Sequence, residues 1–197
     1  MSQVAERPQR ADARRNRERV VAAARVVFAE HGRDAQMDDV ARRAGVGVGT
    51  VYRHFPTKRA LLVALVLDAF DRVAAEARRA LEHPDPWEGL THLLWYSAEN
   101  LAADRALSEA MAGDFEFPGA QSAAQVSLRE SVEELMRRAQ AAGALRADAI
   151  VDDVPMLMCG VGMGRIKEHR CPDAWRRHLA IVIDGLRASS ASADLPS

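Results

Sequence analysis

Residues 37–56, MDDVARRAGVGVGTVYRHFP, constrain this chain more than any other stretch. They read as two short helices, 38–44 and 48–55, with a glycine between them. Helices this short are unstable alone and must be packed onto a neighbour. Gly45 supplies the positive φ that ends the first helix, and Asp38 and Asp39 fall in its first turn, where carboxylates suit the helix dipole. Ala41 is small enough for two steeply crossing helices to meet, and Val40, Val46 and Val51 fill the small core between them. The preceding helix, Arg14 to His31, offers Val20, Val21, Ala24, Val27 and Phe28 on one face and ends at Gly32. Phe28 and Phe55 are the natural bulk for fixing the short pair to it.

The second short helix then projects Val48, Thr50, Tyr52, Arg53 and His54. A recognition helix in a major groove reads bases with its first residues and touches phosphates with the rest. Gly47 and Gly49 allow close approach to a nucleic-acid backbone. Lys58 opens the next helix, where an ammonium and free N–H groups clamp one phosphate. Charge agrees: residues 1–60 hold 13 lysines and arginines against 7 acids, a net of +6, whereas the remainder holds 14 against 21, a net of −7. A basic head on an acidic body points the head at a polyanion.

The string A-x-x-A-G-V-x-x-G-T-V-Y-x-H-F-x-x-K-x-x-L, from Ala41 to Leu61, resembles the DNA-binding domain of the TetR family of bacterial repressors. The likeness extends to Ala24, Phe28 and Gly32 on the preceding helix and covers about residues 14–73. It implies phosphate contacts from Tyr52, His54 and Lys58, and base contacts from Thr50, Val48 and Arg53. Gly47 departs from the family's frequent serine or threonine, and Ala35-Gln36 from its frequent Thr-Thr or Thr-Ser, with Gln36 still able to reach a phosphate. Arg14, Arg15 and Arg17 follow either DNA or solvent; Arg15 is taken as a contact.

Beyond this head the pattern stays helical. A helix from Thr57, its N-cap, to Leu81 leads to the break His83-Pro84-Asp85-Pro86, and further helices are expected at 87–102, 104–112, 120–142, 149–168 and 173–188. Nothing alternates long enough for a strand, so the fold class is all-α with about nine helices. The expected organisation is a disordered basic arm over 1–13, a helix-turn-helix domain over 14–73, a helical ligand-binding and dimerisation domain over 74–188, and a disordered tail over 189–197.

Catalytic motifs are missing from the body: there is no G-x-S-x-G, H-E-x-x-H, P-loop or C-x-x-C. An enzyme is therefore not expected, nor any cofactor or metal. Glu168-His169-Arg170-Cys171 lacks a second ligand pair to complete a site. The body is rich in large apolar residues, and the family resemblance implies a ligand cavity there. Phe70, Trp95, Tyr96, Met111, Phe115 and Met158 are the candidate lining, with Tyr96, Glu99 and Asn100 as polar handles, for an apolar or aromatic small molecule.

Residues 154–164, VPMLMCGVGMG, carry glycines that each cost about 1 kcal/mol relative to alanine in a helix. The last helix places Trp175, Leu179, Val182, Ile183 and Leu186 at helical spacing. The resemblance implies that these two helices form a four-helix bundle across a two-fold axis, with Met156, Gly160, Gly164, Trp175, Leu179, Val182, Ile183 and Leu186 in the interface. One short recognition helix reads too few base pairs, so a homodimer on palindromic double-stranded operator DNA is expected. Two cysteines, no apolar N-terminal signal and no run of about 18 apolar residues suggest a cytoplasmic protein without a membrane anchor. The expected function is a ligand-released repressor; an architectural DNA-binding protein would be basic throughout, which this chain is not.

Overall fold

The computed structural model describes residues 6–103, 122–167 and 174–195. They form eight α-helices and, among the described residues, no strand, only one isolated bridge between Leu145 and Arg187. The helices are α1 (Glu6–His31), α2 (Met37–Ala44), α3 (Val48–His54), α4 (Lys58–Ala80), α5 (Pro86–Ala103), α6 (Ala123–Ala141), α7 (Asp153–Lys167) and α8 (Ala174–Leu186). The helix expected at 104–112 lies outside the described residues.

Local chemistry explains the boundaries. Gly32, Gly45 and Gly143 adopt φ of 55°, 64° and 67° and stop α1, α2 and the segment after α6. The Thr57 hydroxyl accepts from the Ala60 N–H at 3.0 Å and caps α4. Asp85 does the same for α5, accepting from Trp87 N–H at 2.8 Å, with Pro86 in the first helical position, where no N–H is needed. Ser122 and Gln125 close a reciprocal capping box on α6.

Two expectations at the termini are corrected. The arm over 1–13 was expected to be disordered, but α1 begins at Glu6. Pro8 falls in its first turn, where proline is tolerated, and pairs such as Arg15 with Asp12 and Arg14 with Glu18 (3.5 Å) support a polar helix that has no apolar periodicity. The tail from Ser189 was also expected to be disordered. Instead a 3-10 turn spans Ala188–Ser190, Arg146 Nη2 donates to the Ala193 carbonyl at 2.8 Å, and the Leu195 N–H donates to Asp148 Oδ2 at 2.7 Å.

The described residues divide into two compact units, one up to Val66 and one from Leu67 onward. The sequence reading set the boundary at 73; it falls earlier, inside the unbroken helix α4. In the first unit, Val20, Ala24, Phe28, Val40, Ala41, Val51 and Leu61 are buried against one another. In the second, Trp87, Leu90, Leu93, Leu135, Leu145, Trp175 and Leu179 form the core. Each such side chain contributes about 1.5–3 kcal/mol by leaving water. At Gly89 a Cβ would lie 2.6 Å from the Ala80 carbonyl oxygen, so α5 passes the end of α4 at backbone contact.

Candidate nucleic-acid interface and helical body

In the first unit α2 and α3 stand against α1 through Val40, Ala41, Ala44 and Val51, all buried. Burying Val51 turns the opposite side of α3 outward. Val48 is 38% exposed and Tyr52 is 46% exposed. Gly47, Gly49 and Arg53 are exposed as well, and Thr50 is half-buried. Gly47 is the N-cap residue of α3 and supplies no side-chain cap, in keeping with its departure from serine or threonine.

His54 is half-buried; its Nε2 is out of contact with solvent and has no hydrogen-bond partner among the described residues. Lys58 begins α4 with its ammonium 5.6 Å from the centre of the Phe28 ring, a cation–π contact that aims the stem across α1. Arg17 makes the matching contact with Phe55 at 5.3 Å. Gln36 precedes α2, and its amide donates to the Asp34 carbonyl at 2.8 Å. Arg15 is exposed and paired with Asp12.

The sequence reading missed Arg19. Its Nη2 donates to the Ala44 carbonyl at 2.6 Å, at the end of α2. A cation there meets carbonyls that the helix leaves unpaired and the negative end of its dipole. Nothing in the spacing of charges along α1 marks this residue beforehand.

In the second unit Trp95 and Met158, two of the expected ligand-lining residues, pack against the same core. Trp95 is half-buried and meets Trp175 edge-on, with ring centres 6.1 Å apart. Met158 packs on the body core. Phe70 and Tyr96 are half-buried. Met111 and Phe115 lie outside the described residues. Asn100 is engaged on both sides of its amide: it donates to the Tyr96 carbonyl at 2.9 Å and accepts from Arg72, whose Nε also lies 3.2 Å from Asp68. Glu99 pairs with Arg176 at 3.3 Å. Glu76 on α4 lies 2.8 Å from His92 Nε2 on α5 and 2.9 Å from Arg79. The His92 hydrogen bond, aided by Arg79, holds the Glu76 carboxyl below its usual range.

The expected interface set is corrected in part. Trp175, Leu179, Ile183 and Leu186 are buried in the protomer's own core, because one stripe of α8 packs against α5 and α7. They are not surface residues. Met156, at 75% exposed, and Gly160 do face outward, and Val182 is half-buried. The surroundings of Gly164 lie outside the described residues. Ile181, 58% exposed, and Gly185 also lie on the outward side of α8. The Glu168–Cys171 patch lies outside the described residues. Among the described residues no cluster of three metal-binding side chains occurs, and no helix is long and apolar enough to cross a membrane.

Comparison with known proteins places both units. Residues 20–65 match the family described as bacterial regulatory proteins, tetR family, and residues 85–188 match the C-terminal domain described as transcriptional regulator SbtR-like. The transcriptional repressor KstR of Mycolicibacterium smegmatis is 36% identical over 115 residues, 57% of this chain and 56% of that protein. The match thus spans little more than half of that relative. The transcriptional regulator UidR of Escherichia coli is 30% identical over 191 residues, 90% of this chain and 92% of that protein. A crystal structure of a TetR transcription regulatory protein from Mycobacterium vanbaalenii superposes with a TM-score of 0.66 at 38% identity, covering 91% of this chain and 99% of that one. With family matches in both halves and a relative aligned along nearly its whole length, the chain belongs to the TetR family of bacterial regulatory proteins.

Proposed function

We propose that this protein is a cytoplasmic, ligand-responsive transcriptional repressor that binds a palindromic operator as a homodimer and is released by a small molecule. The observation that carries the reading is the outward side of α3. A seven-residue helix, held from behind by Val51, leaves Val48, Tyr52 and Arg53 exposed among the described residues. In this reading Val48, Thr50 and Arg53 face base edges. Tyr52, Lys58, Gln36 and Arg15 meet phosphates, and the Gly47 backbone approaches one closely. A phosphate contact from His54 must use Nδ1, since Nε2 is covered within the protomer.

Dimerisation would use the outward face of α7 and α8, Met156, Gly160, Ile181 and Gly185, flanked by Val182. A Cβ at Gly160 or Gly185 meets nothing within 4 Å in the protomer, so a partner helix could approach both closely. Two heads on a two-fold axis would then address major grooves about 34–36 Å apart.

The effector is proposed to be an apolar or aromatic molecule held near Phe70 and Tyr96, with Met111 and Phe115 contributing. Helix α4 begins in the DNA-binding unit and ends in the body. A ligand that favours one position of α4 changes the spacing of the heads, by no more than its differential affinity for the two states.

The test is selection of binding duplexes from a random library, followed by sedimentation of the protein on the enriched sequence. Two protomers on one palindrome support the reading. Enrichment of no sequence, or one protomer per asymmetric site, contradicts it.

A further inference from the structure

We propose that Val48 is a specificity-determining residue that reads the C5-methyl group of a thymine in each half-site, through a gap kept open by Gly47 and Gly49. The inference rests on the DNA-binding reading and adds the base and the atom.

Three observations meet here. First, Val48 at 38% exposed is the one exposed valine among the described residues of its unit; Val20, Val40, Val51 and Val66 are at most 1% exposed, and Val26, Val46 and Val63 are half-buried. Second, the fold does not require the glycines on either side. A Cβ at Gly47 or Gly49 meets no atom within 4 Å, and Gly47 has an ordinary φ of −67°. Gly49 lies inside α3, where glycine disfavours helix relative to alanine. The protein therefore keeps open space beside one apolar group at some cost to the helix. Third, Arg53 is exposed on α3 without an ion pair among the described residues, whereas Arg42 and Arg43, which close α2, are paired with Asp39 at 2.9 Å and Glu30 at 3.7 Å.

A polyanion drawn to Arg53 would meet in Val48 an apolar knob on the same helix. In the major groove of duplex DNA the thymine C5-methyl is the apolar feature among hydrogen-bonding edges. Tyr52 lies one turn from Val48 on the same face. It would set the depth of the helix through a phosphate while Val48 covers the methyl. With only hydrogen at 47 and 49, the start of α3 can come close enough for van der Waals contact.

The experiment replaces each thymine of the selected operator, one symmetric pair at a time, with deoxyuridine. This removes the methyl and keeps every hydrogen-bonding group. One pair is expected to weaken binding by about fourfold per half-site, the effect of unburying one methyl. Val48→Ala is expected to bind dT and dU operators equally at that position. Gly49→Ala is expected to melt no lower than the parent and to bind the operator more weakly. Sequence-specific binding with no methyl-sensitive thymine, or with unchanged sensitivity in Val48→Ala, overturns the inference alone. Full affinity in Gly49→Ala overturns the role given to the gap. Absence of any sequence preference in the parent protein overturns the DNA-binding reading and this inference with it.

Discussion

Arg19 reaches from α1 to donate to the carbonyl oxygen of Ala44 at 2.6 Å, closing the last turn of α2 just before the bend at Gly45. The same guanidinium restricts that bend from a second side. A Cβ on Gly45 would lie 3.0 Å from Arg19 Nη2, at a φ of +64° that side chains rarely adopt. Arg19→Ala is expected to destabilise the head by about 1–2 kcal/mol, the range for a hydrogen bond from a charged donor that is only partly buried. Chemical denaturation measures this directly; an unchanged midpoint would show that water replaces the hydrogen bond at no cost.

The two sides of α8 make opposite predictions. Leu179 is fully buried, and Leu179→Ala is expected to cost about 2–5 kcal/mol in folding stability. Ile181, two residues on, faces outward. Ile181→Asp is expected to leave the helical content and the protomer core intact while shifting the protein from dimer to monomer in sedimentation and lowering operator affinity. A dimer of unchanged strength would remove α8 from the interface.

The C-terminal strap carries a pH signature. Arg146 Nη2 lies 2.8 Å from Asp148 Oδ2, which also accepts from the Leu195 N–H. The Arg146 hydrogen bonds, seconded by that N–H, hold the Asp148 carboxyl well below its usual range. A carboxyl whose pKa is depressed by folding stabilises the fold fully above the unfolded value, and that contribution is lost as pH falls below it. The wild-type melting temperature should therefore fall more steeply than that of Asp148→Asn as pH drops through the ordinary carboxylate range. Parallel curves would show that the clasp contributes nothing to acid stability.

How far the sequence revealed this arrangement depended on the kind of signal. Gly45, Gly32 and Thr57 were legible because a positive φ or a cap requires particular residue types at particular places. The helix pair around Val40 and Val51 was legible because its buried positions are periodic. Trp175, Leu179, Ile183 and Leu186 were misassigned because periodicity identifies an apolar stripe without saying whether the same chain or a partner covers it. The outward pair, Ile181 and Gly185, is too sparse to register as a second stripe. The start of α1 at Glu6 was missed because residues 6–13 carry no apolar periodicity in the sequence. Arg19 gave no signal because its partner, a backbone carbonyl 25 positions away, is visible only after folding.

The central claim is that the α3 surface grips DNA specifically. Fluorescence anisotropy on the selected duplex and on a shuffled duplex, at several salt concentrations, tests it most directly, with Tyr52→Ala and Lys58→Ala as comparisons. The predicted result is tight, salt-dependent binding to the selected duplex that is weakened in both variants. The salt slope for Lys58→Ala should be shallower by about one for each phosphate that the lysine no longer neutralises. Equal affinity for both duplexes, or binding indifferent to both substitutions, would contradict it.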